Sequence, residues 1–256
     1  MIVVKQLATV IMFSLVTLTP ALAEEPKELD MGTDPTRVSR SVVARDEHLN
    51  LRGGFNSDTL RLKYAMPLGP EQNYGLSLEV PITAVDLLGT RHSSMGDLVL
   101  GVTKVFGLTR QGGYVAKAEL VFDTADRPEL GTGKNSFRAT FAKALFLADG
   151  AIFAPALVHE ESFSGQRGRT NVGRTTLDFY YVPKLADPRN FVTFDPSIVH
   201  DRELKRTYGA LAVTLGHAVG KAFGGNQLVF VKPSVFAGAD RPADWGLEVG
   251  YKLIGF

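Results

Sequence analysis

Two neighbouring stretches of the sequence decide its fold class: residues 60–65 read LRLKYA and residues 74–80 read YGLSLEV. In both, an apolar residue alternates with a polar or small one. A period of two is typical of a β-strand with one apolar and one polar face, because successive side chains of a strand point to opposite faces. The alternation returns around Lys117, Asp178 and Glu248. The sequence therefore predicts an all-β protein.

Extending this reading along the chain predicts about twelve strands. Two of them, at residues 97–106 and 227–237, are apolar on both faces, and Pro155 interrupts a third. The predicted strands cover residues 48–55, 59–66, 74–82, 97–106, 114–122, 136–147, 151–159, 174–183, 191–199, 207–218, 227–237 and 245–253.

The first residues have the features of an export signal. Lys5 precedes an apolar run at residues 7–18, and residues 20–23 read PALA, a small-residue cleavage site. The run is shorter than the roughly 20 residues of a membrane-spanning helix. We predict a cleaved signal peptide at residues 1–23; an uncleaved anchor is the alternative. Residues 24–47 are charged and aperiodic, which predicts a partly disordered periplasmic lead-in, followed by one domain at residues 48–256.

Composition excludes several classes of function. The chain of 256 residues has a formal net charge of +1, whereas a nucleic-acid-binding protein usually carries a strongly basic face. It contains no cysteine, which excludes disulfides, thiolate metal sites and a cysteine nucleophile. No second apolar run is long enough for a membrane helix, so a membrane-embedded form would have to be a β-barrel. The mean hydropathy of +0.03 does not separate a barrel from a soluble β-sandwich.

The predicted connections alternate in length. One set is short (residues 67–73, 107–113, 148–150 and 184–190), and the other is long (residues 83–96, 123–135 and 160–173). The pattern weakens toward both ends, where residues 56–58 and 200–206 are short for external loops and residues 219–226 are long for a turn. Short periplasmic turns and longer external loops are typical of bacterial outer-membrane barrels. We therefore predict a closed antiparallel transmembrane β-barrel in the outer membrane, with both termini in the periplasm. A soluble β-sandwich has less reason to sort its loops in this way and is the alternative.

Several short motifs resemble an outer-membrane transporter family named for the meta-cleavage pathway of phenol degradation. The chain is similar to that family at MGDLVLG (residues 95–101), FVTFDP (191–196), LGHAVGKAF (215–223) and RPADW (241–245). It departs at Ala218 and Ala222 and in its final LIGF. The resemblance spans most of the mature chain. It implies an outer-membrane transporter whose ligand is unknown.

Three patterns could carry chemistry, and each has a simpler explanation. His92-Ser93-Ser94 has the His-x-Ser spacing of an outer-membrane phospholipase, but it falls in a predicted external loop that would not hold a base beside a nucleophile. The clusters at His159–Glu161 and His200–Glu203 place neighbouring residues on opposite strand faces, which disfavours a shared metal ion. Residues 130–136 lack the spacing of a phosphate-binding loop. We predict no catalytic residue, no metal and no cofactor.

The polar face of the predicted strands would line the barrel lumen. Positive and negative charges are about equal there, which indicates either weak ion selectivity or internal ion pairs. We expect passive uptake or binding of small solutes, hydrophobic ones among them; a structural barrel without transport and a lipid-modifying enzyme are the alternatives. The candidate lumen residues are Arg61, Lys63, Glu79, Lys117, Glu119, Arg138, Asp178, Asp195, Glu248 and Lys252.

The expected partners are outer-membrane lipid and the barrel-assembly machinery, which recognises a terminal aromatic residue such as Phe256. The apolar alternation at Tyr251 and Leu253 leaves Phe256 out of register unless residues 254–255 form a bulge. We expect a monomer and no nucleic-acid partner.

Overall fold

The structure, a computed structural model, describes residues 29–87, 90–127 and 129–256. The predicted signal peptide lies outside the described residues. The strands are β1 (Ser41–Leu51), β2 (Phe55–Leu68), β3 (Tyr74–Leu87), β4 (Thr90–Met95), β5 (Leu98–Thr109), β6 (Gly112–Phe122), β7 (Lys134–Phe146), β8 (Ile152–Gly165), β9 (Gly173–Val182), β10 (Asn190–Asp201), β11 (Arg206–Ala222), β12 (Gly225–Ala237) and β13 (Ala243–Ile254).

The sheet closes on itself as a barrel. β1 pairs with β13 on one side and with β2 on the other, and the order then runs from β2 through β3 and β5 to β13. These twelve strands form an antiparallel ring. β4 pairs with the last residues of β3 and stands outside the ring. Because the ring leaves none of its strands with a free edge, the β-sandwich alternative is wrong.

The strands separate an apolar exterior from a polar interior. Along β3, Leu78 points outward and is 45% exposed, while Ser77 beside it lines the interior. Leu100 lies directly opposite Leu78 on β5, Leu62 lies diagonally from it on β2, and both are exposed on the same outer face. An apolar outer face of this kind suits contact with lipid. In the described part of the chain, no helix is long and apolar enough to cross a membrane.

Several strands are longer than the sequence predicted. β1 begins at Ser41 instead of residue 48, and β3 with β4 extends the wall through most of the predicted loop 83–96. β8 continues to Gly165, into the predicted loop 160–173. The predicted turn 219–226 shrinks because β11 and β12 extend into it. Of the predicted long loops, 123–135 keeps most of its length. The sequence does not predict these extensions because polar residues occur at the rim, and a strand beyond the apolar belt lacks the alternation that identifies it.

We call the end of the barrel that holds Ser41 and Ile254 the terminal end, and the opposite end the far end. At the terminal end, residues 29–40, the N-terminal segment, fold into the lumen. Met31 is buried against Phe191, Leu228 and Ile254. The predicted lead-in is thus ordered over residues 29–40, since these residues bury apolar side chains inside the barrel.

The last strand ends as a turn at Gly255. Ile254 points inward and is buried, and Gly255 takes a φ of +78° that favours glycine. The Gly255 amide donates to the Arg40 carbonyl oxygen at 2.8 Å. Phe256 therefore leaves the strand register through this turn, and the Arg40 guanidinium lies 6.0 Å from its ring centre.

Candidate functional site

The ten predicted lumen residues lie on seven strands, and the lumen wall has two contrasting regions. One region, the charged wall, comprises β13, β1, β2, β3, β6, β7 and β8 and carries networks of ion pairs. The other, the small-residue wall, comprises β10, β11 and β12 and carries few charges. Asp178 of β9 lies between them. The structure brings most of the predicted residues into contact with a partner of opposite charge, and their role in solute passage stays a prediction.

The first network on the charged wall joins β1, β2, β3 and β13. The Arg61 guanidinium pairs with Glu47 at 3.2 Å and with Glu79 at 3.3 Å. Arg45 pairs with Glu79 at 2.9 Å and with Glu248 at 3.8 Å. The strand register places Arg45 directly opposite Arg61, so shared carboxylates hold two like charges side by side. This arrangement fixes both guanidinium groups against the wall.

The second network joins β6, β7 and β8. Glu119 pairs with Lys117 at 2.5 Å and with Arg138 at 3.6 Å. Arg138 also donates two hydrogen bonds to Glu160, at 3.0 and 3.1 Å, and the buried Ser136 hydroxyl donates to the other Glu160 oxygen. Charge-assisted contacts with several donors are among the stronger polar interactions. Glu160 is thus the anchor of this network.

The small-residue wall is built differently. Its ion pairs join Lys232 to Asp195 at 3.6 Å and Arg206 to Asp201 at 3.5 Å, and Asp178 forms no ion pair with a described residue. Two aromatic rings lie directly over glycines, Phe191 over Gly216 and Phe230 over Gly250, where a side chain would otherwise stand. A Cβ on Gly216 would lie 2.1 Å from the Phe191 ring, so the ring rests on the backbone of β11. Rings held flat in this way reduce the bore.

The N-terminal segment leaves a cavity of about 480 Å³ between itself and the barrel wall. Ligand sites in proteins commonly have volumes of ~300–1,000 Å³. The segment is fixed from several sides: Tyr180 donates to the Thr33 carbonyl oxygen at 2.9 Å, and Val38 packs beside Gly75, where a Cβ would lie 2.8 Å away. Of the predicted lumen residues, five line this cavity: Lys63, Lys117, Asp195, Glu248 and Lys252.

The charged lumen residues that sequence reasoning missed include four of the ion-pair partners described above. Arg45 and Glu47 were assigned to the lead-in, because Asp46 and Val43 break the apolar alternation of β1. Glu160 was assigned to an external loop. Lys232 lies in a strand that is apolar on both faces. The sequence offers one signal for such residues: charged lumen residues need partners of opposite charge, so further charges of both signs are expected on the inner face.

The His-x-Ser motif and the histidines of the two histidine–carboxylate clusters lie on strands of the sheet. His92 lies on strand β4, not in the predicted loop, because β3 and β4 continue as a hairpin beyond the barrel. Its ring hydrogen-bonds to Glu129 at 2.5 Å, and the Ser94 hydroxyl donates to Asp126. Ser94 and His92 therefore form no nucleophile–base pair.

His159 lies on the outer face of β8 beside Thr175, while Glu160 points inward. His200 bonds to Thr207, and Asp201 on the opposite face pairs with Arg206. Among the residues that the structure describes, no three histidine or carboxylate groups are placed to share a metal ion.

Solved structures with the same overall fold are outer-membrane proteins. An outer membrane channel from Pseudomonas putida F1 aligns with a TM-score of 0.67 at 10% identity, over 93% of this chain and 100% of that one. The fold is an outer-membrane β-barrel. The KdgM porin aligns with a TM-score of 0.56 at 13% identity, over 83% of this chain and 98% of that one.

The β-domain of the Bordetella autotransporter Brka aligns with a TM-score of 0.53 at 11% identity, over 85% of this chain and 99% of that one. No family model and no curated protein matches the sequence. At these identities the likeness concerns the fold alone, and function has to be argued from the lumen.

Proposed function

We propose that this chain is a channel of the bacterial outer membrane through which small solutes pass passively. The observation that carries the proposal is the cavity inside the ring of β-strands, with charged side chains on its wall and an apolar belt around its exterior. A twelve-stranded barrel stands between small barrels filled by side chains and porins with wide water channels. A narrow, partly filled lumen agrees with that size.

The finer parts of the proposal rest on the sequence. Export by the signal peptide at residues 1–23, a monomeric state and assembly through Phe256 belong to it. So does membership of the transporter family of the phenol meta-cleavage pathway, for which the motifs at residues 95–101 and 215–223 are the support. A charged lumen wall favours polar solutes, and passage of hydrophobic solutes stays a prediction.

Conductance in planar bilayers tests the channel. The folded full-length mature protein should give discrete current steps in 1 M KCl, smaller than those of wide porins because the N-terminal segment and aromatic rings reduce the bore. A heat-denatured sample is the matched control. A folded protein that inserts into the bilayer and carries no current would contradict the proposal.

A structural barrel without transport is the second candidate. It is favoured by the ion-pair networks and by the N-terminal segment, which together fill much of the lumen. Liposome swelling separates the two candidates. Proteoliposomes should swell in a small sugar such as arabinose if the protein is a channel, and should behave like protein-free liposomes if it is a scaffold.

A further inference from the structure

The cavity beside the N-terminal segment is lined by two lysines that form no ion pair within the described part of the chain. Lys63 of β2 and Lys252 of β13 line it, and neither forms an ion pair with any described carboxylate. Lys252 reaches only the carbonyl oxygen of Gly32, at 3.4 Å. The other charged residues of the charged wall are held in networks. Carboxylates lie farther off, Glu79 and Glu119 near Lys63 and Asp30 and Glu248 near Lys252, and none of them is within ion-pairing distance. Both ammonium groups therefore face the same cavity and remain open to a further acidic ligand.

The strand register places these two lysines close together. Both are paired with Val43, Lys63 from β2 and Lys252 from β13. Neighbouring strands lie about 4.8 Å apart, so the two Cα atoms are separated by roughly 10 Å across the buried side chain of Val43. Lysine side chains are long and flexible, so both ammonium groups can reach a ligand placed between them.

Free hydroxyl groups extend the patch along the wall. Ser41, Ser77 and Thr103 line the same cavity, and none of the three side chains has a hydrogen-bond partner among the described residues. Ser77 lies across from Gly101, where a Cβ would approach its hydroxyl to 2.7 Å. Glycine at that position keeps the hydroxyl accessible. The patch thus combines ammonium and hydroxyl donors.

We propose that this patch is a binding site for a small organic anion with carboxylate groups. Ammonium and hydroxyl groups donate hydrogen bonds to carboxylate oxygens, and such charge-assisted bonds are stronger than those between neutral groups. The volume of about 480 Å³ lies within the range of small-molecule sites and is large enough for a dicarboxylate together with water. The inference deepens the proposed channel function by naming the class of solute.

Isothermal titration of the full-length mature protein in detergent with succinate tests the site. The wild type should bind succinate and should not bind neutral succinamide at the same concentrations. Changing both Lys63→Met and Lys252→Met should weaken succinate binding by about tenfold or more, since each substitution removes a charged donor at similar volume. The variant with both changed to arginine should retain binding.

Lys221→Met is the matched control. Lys221 is exposed at the end of β11 and does not line the cavity, so its loss removes one positive charge, as Lys63→Met does, and should leave binding unchanged. Lys63→Met alone removes a residue that forms no hydrogen bond or ion pair with the described residues of the N-terminal segment, and it should still weaken binding. Heat-modifiable migration in electrophoresis shows that each variant is folded.

Absence of succinate binding to the wild type, or equal binding by the wild type and the double methionine variant, would overturn the inference. Because binding is measured without a membrane, this result is independent of conductance. A protein that conducts but does not bind succinate keeps the channel and loses the site; one that binds but does not conduct keeps the site and loses the channel.

Discussion

The two walls of the lumen differ in the side chains that cover them. The charged wall carries networks centred on Glu79 and Glu160, which fix arginine side chains against the strands. The small-residue wall carries glycines such as Gly216, and aromatic rings such as that of Phe191 pack directly on the backbone at these positions. The difference indicates that the electrostatic character of a solute path comes from the charged wall, and its width from the opposite one.

The N-terminal segment touches both walls, and its removal should have the largest effect. Deleting residues 29–39 while keeping the export signal opens the terminal end of the lumen, because Met31 and Val38 no longer occupy it. We expect the single-channel conductance to rise by about threefold or more, because a barrel of twelve strands is wider than the small barrels that side chains fill and its lumen loses the segment that occupies it. Planar-bilayer recordings measure it, and replacement of residues 29–39 by an equally long Gly-Ser segment is the control. An unchanged conductance after deletion would mean that the segment does not limit passage.

The two walls should differ in how they tolerate loss of a carboxylate. Glu160→Gln removes the charged acceptor of the Ser136 hydroxyl and of two Arg138 hydrogen bonds and leaves Arg138 paired with Glu119 alone, so we expect the free energy of unfolding to fall by about 1–3 kcal/mol. Asp178→Asn, near the small-residue wall, removes a carboxylate without an ion pair and should have little effect.

Urea unfolding of both variants in lipid vesicles, followed by tryptophan fluorescence, measures this difference. If Asp178→Asn proved as destabilising as Glu160→Gln, the ion-pair networks would not distinguish the two walls energetically.

Ion selectivity should respond to the charged wall. Removing two positive charges with Arg61→Ala and Lys63→Ala leaves Glu47 and Glu79 in excess, so the channel should shift toward cations. The reversal potential in a KCl gradient measures the shift. Lys104→Ala with Lys143→Ala removes the same charge from outward-facing positions, where each ammonium lies near a tyrosine ring, and should leave the reversal potential nearly unchanged.

The smallest effect is expected at the far end, in the loop 123–133. A hydrogen bond from its own backbone amide, and then the contact with His92, holds the pKa of Glu129 below its usual value. The contribution of this carboxylate is therefore present at neutral pH and is lost as the pH falls through that lowered pKa.

Glu129→Gln should speed amide hydrogen exchange in residues 123–133 by a few-fold at pH 7, and wild-type protein should approach the same behaviour under acid conditions once the intrinsic rates are corrected. Exchange in the buried strand β6 is the internal reference. Equal exchange in both proteins at pH 7 would show that Glu129 does not hold the loop.

The alternation of residues predicted most of the barrel, and its failures have identifiable causes. It located the strands around Leu62, Leu78 and Val249, where one face is uniformly apolar. It failed at β1, since Asp46 points outward and Val43 inward, and in the N-terminal segment, whose order comes from contacts inside the lumen. Local patterns also cannot show that Lys63 and Lys252 lie on either side of Val43, because this arrangement arises where the ring closes between the first and last strands.

Cysteine accessibility tests most directly whether the two faces of the strands meet water and lipid. The natural chain has no cysteine, so Ser77→Cys and Leu78→Cys each introduce one thiol, on opposite faces of β3. In proteoliposomes, a small charged methanethiosulfonate reagent should modify the thiol at position 77 and leave that at position 78 unmodified. Modification at position 78 with protection at position 77 would contradict an aqueous lumen enclosed by a lipid-facing wall.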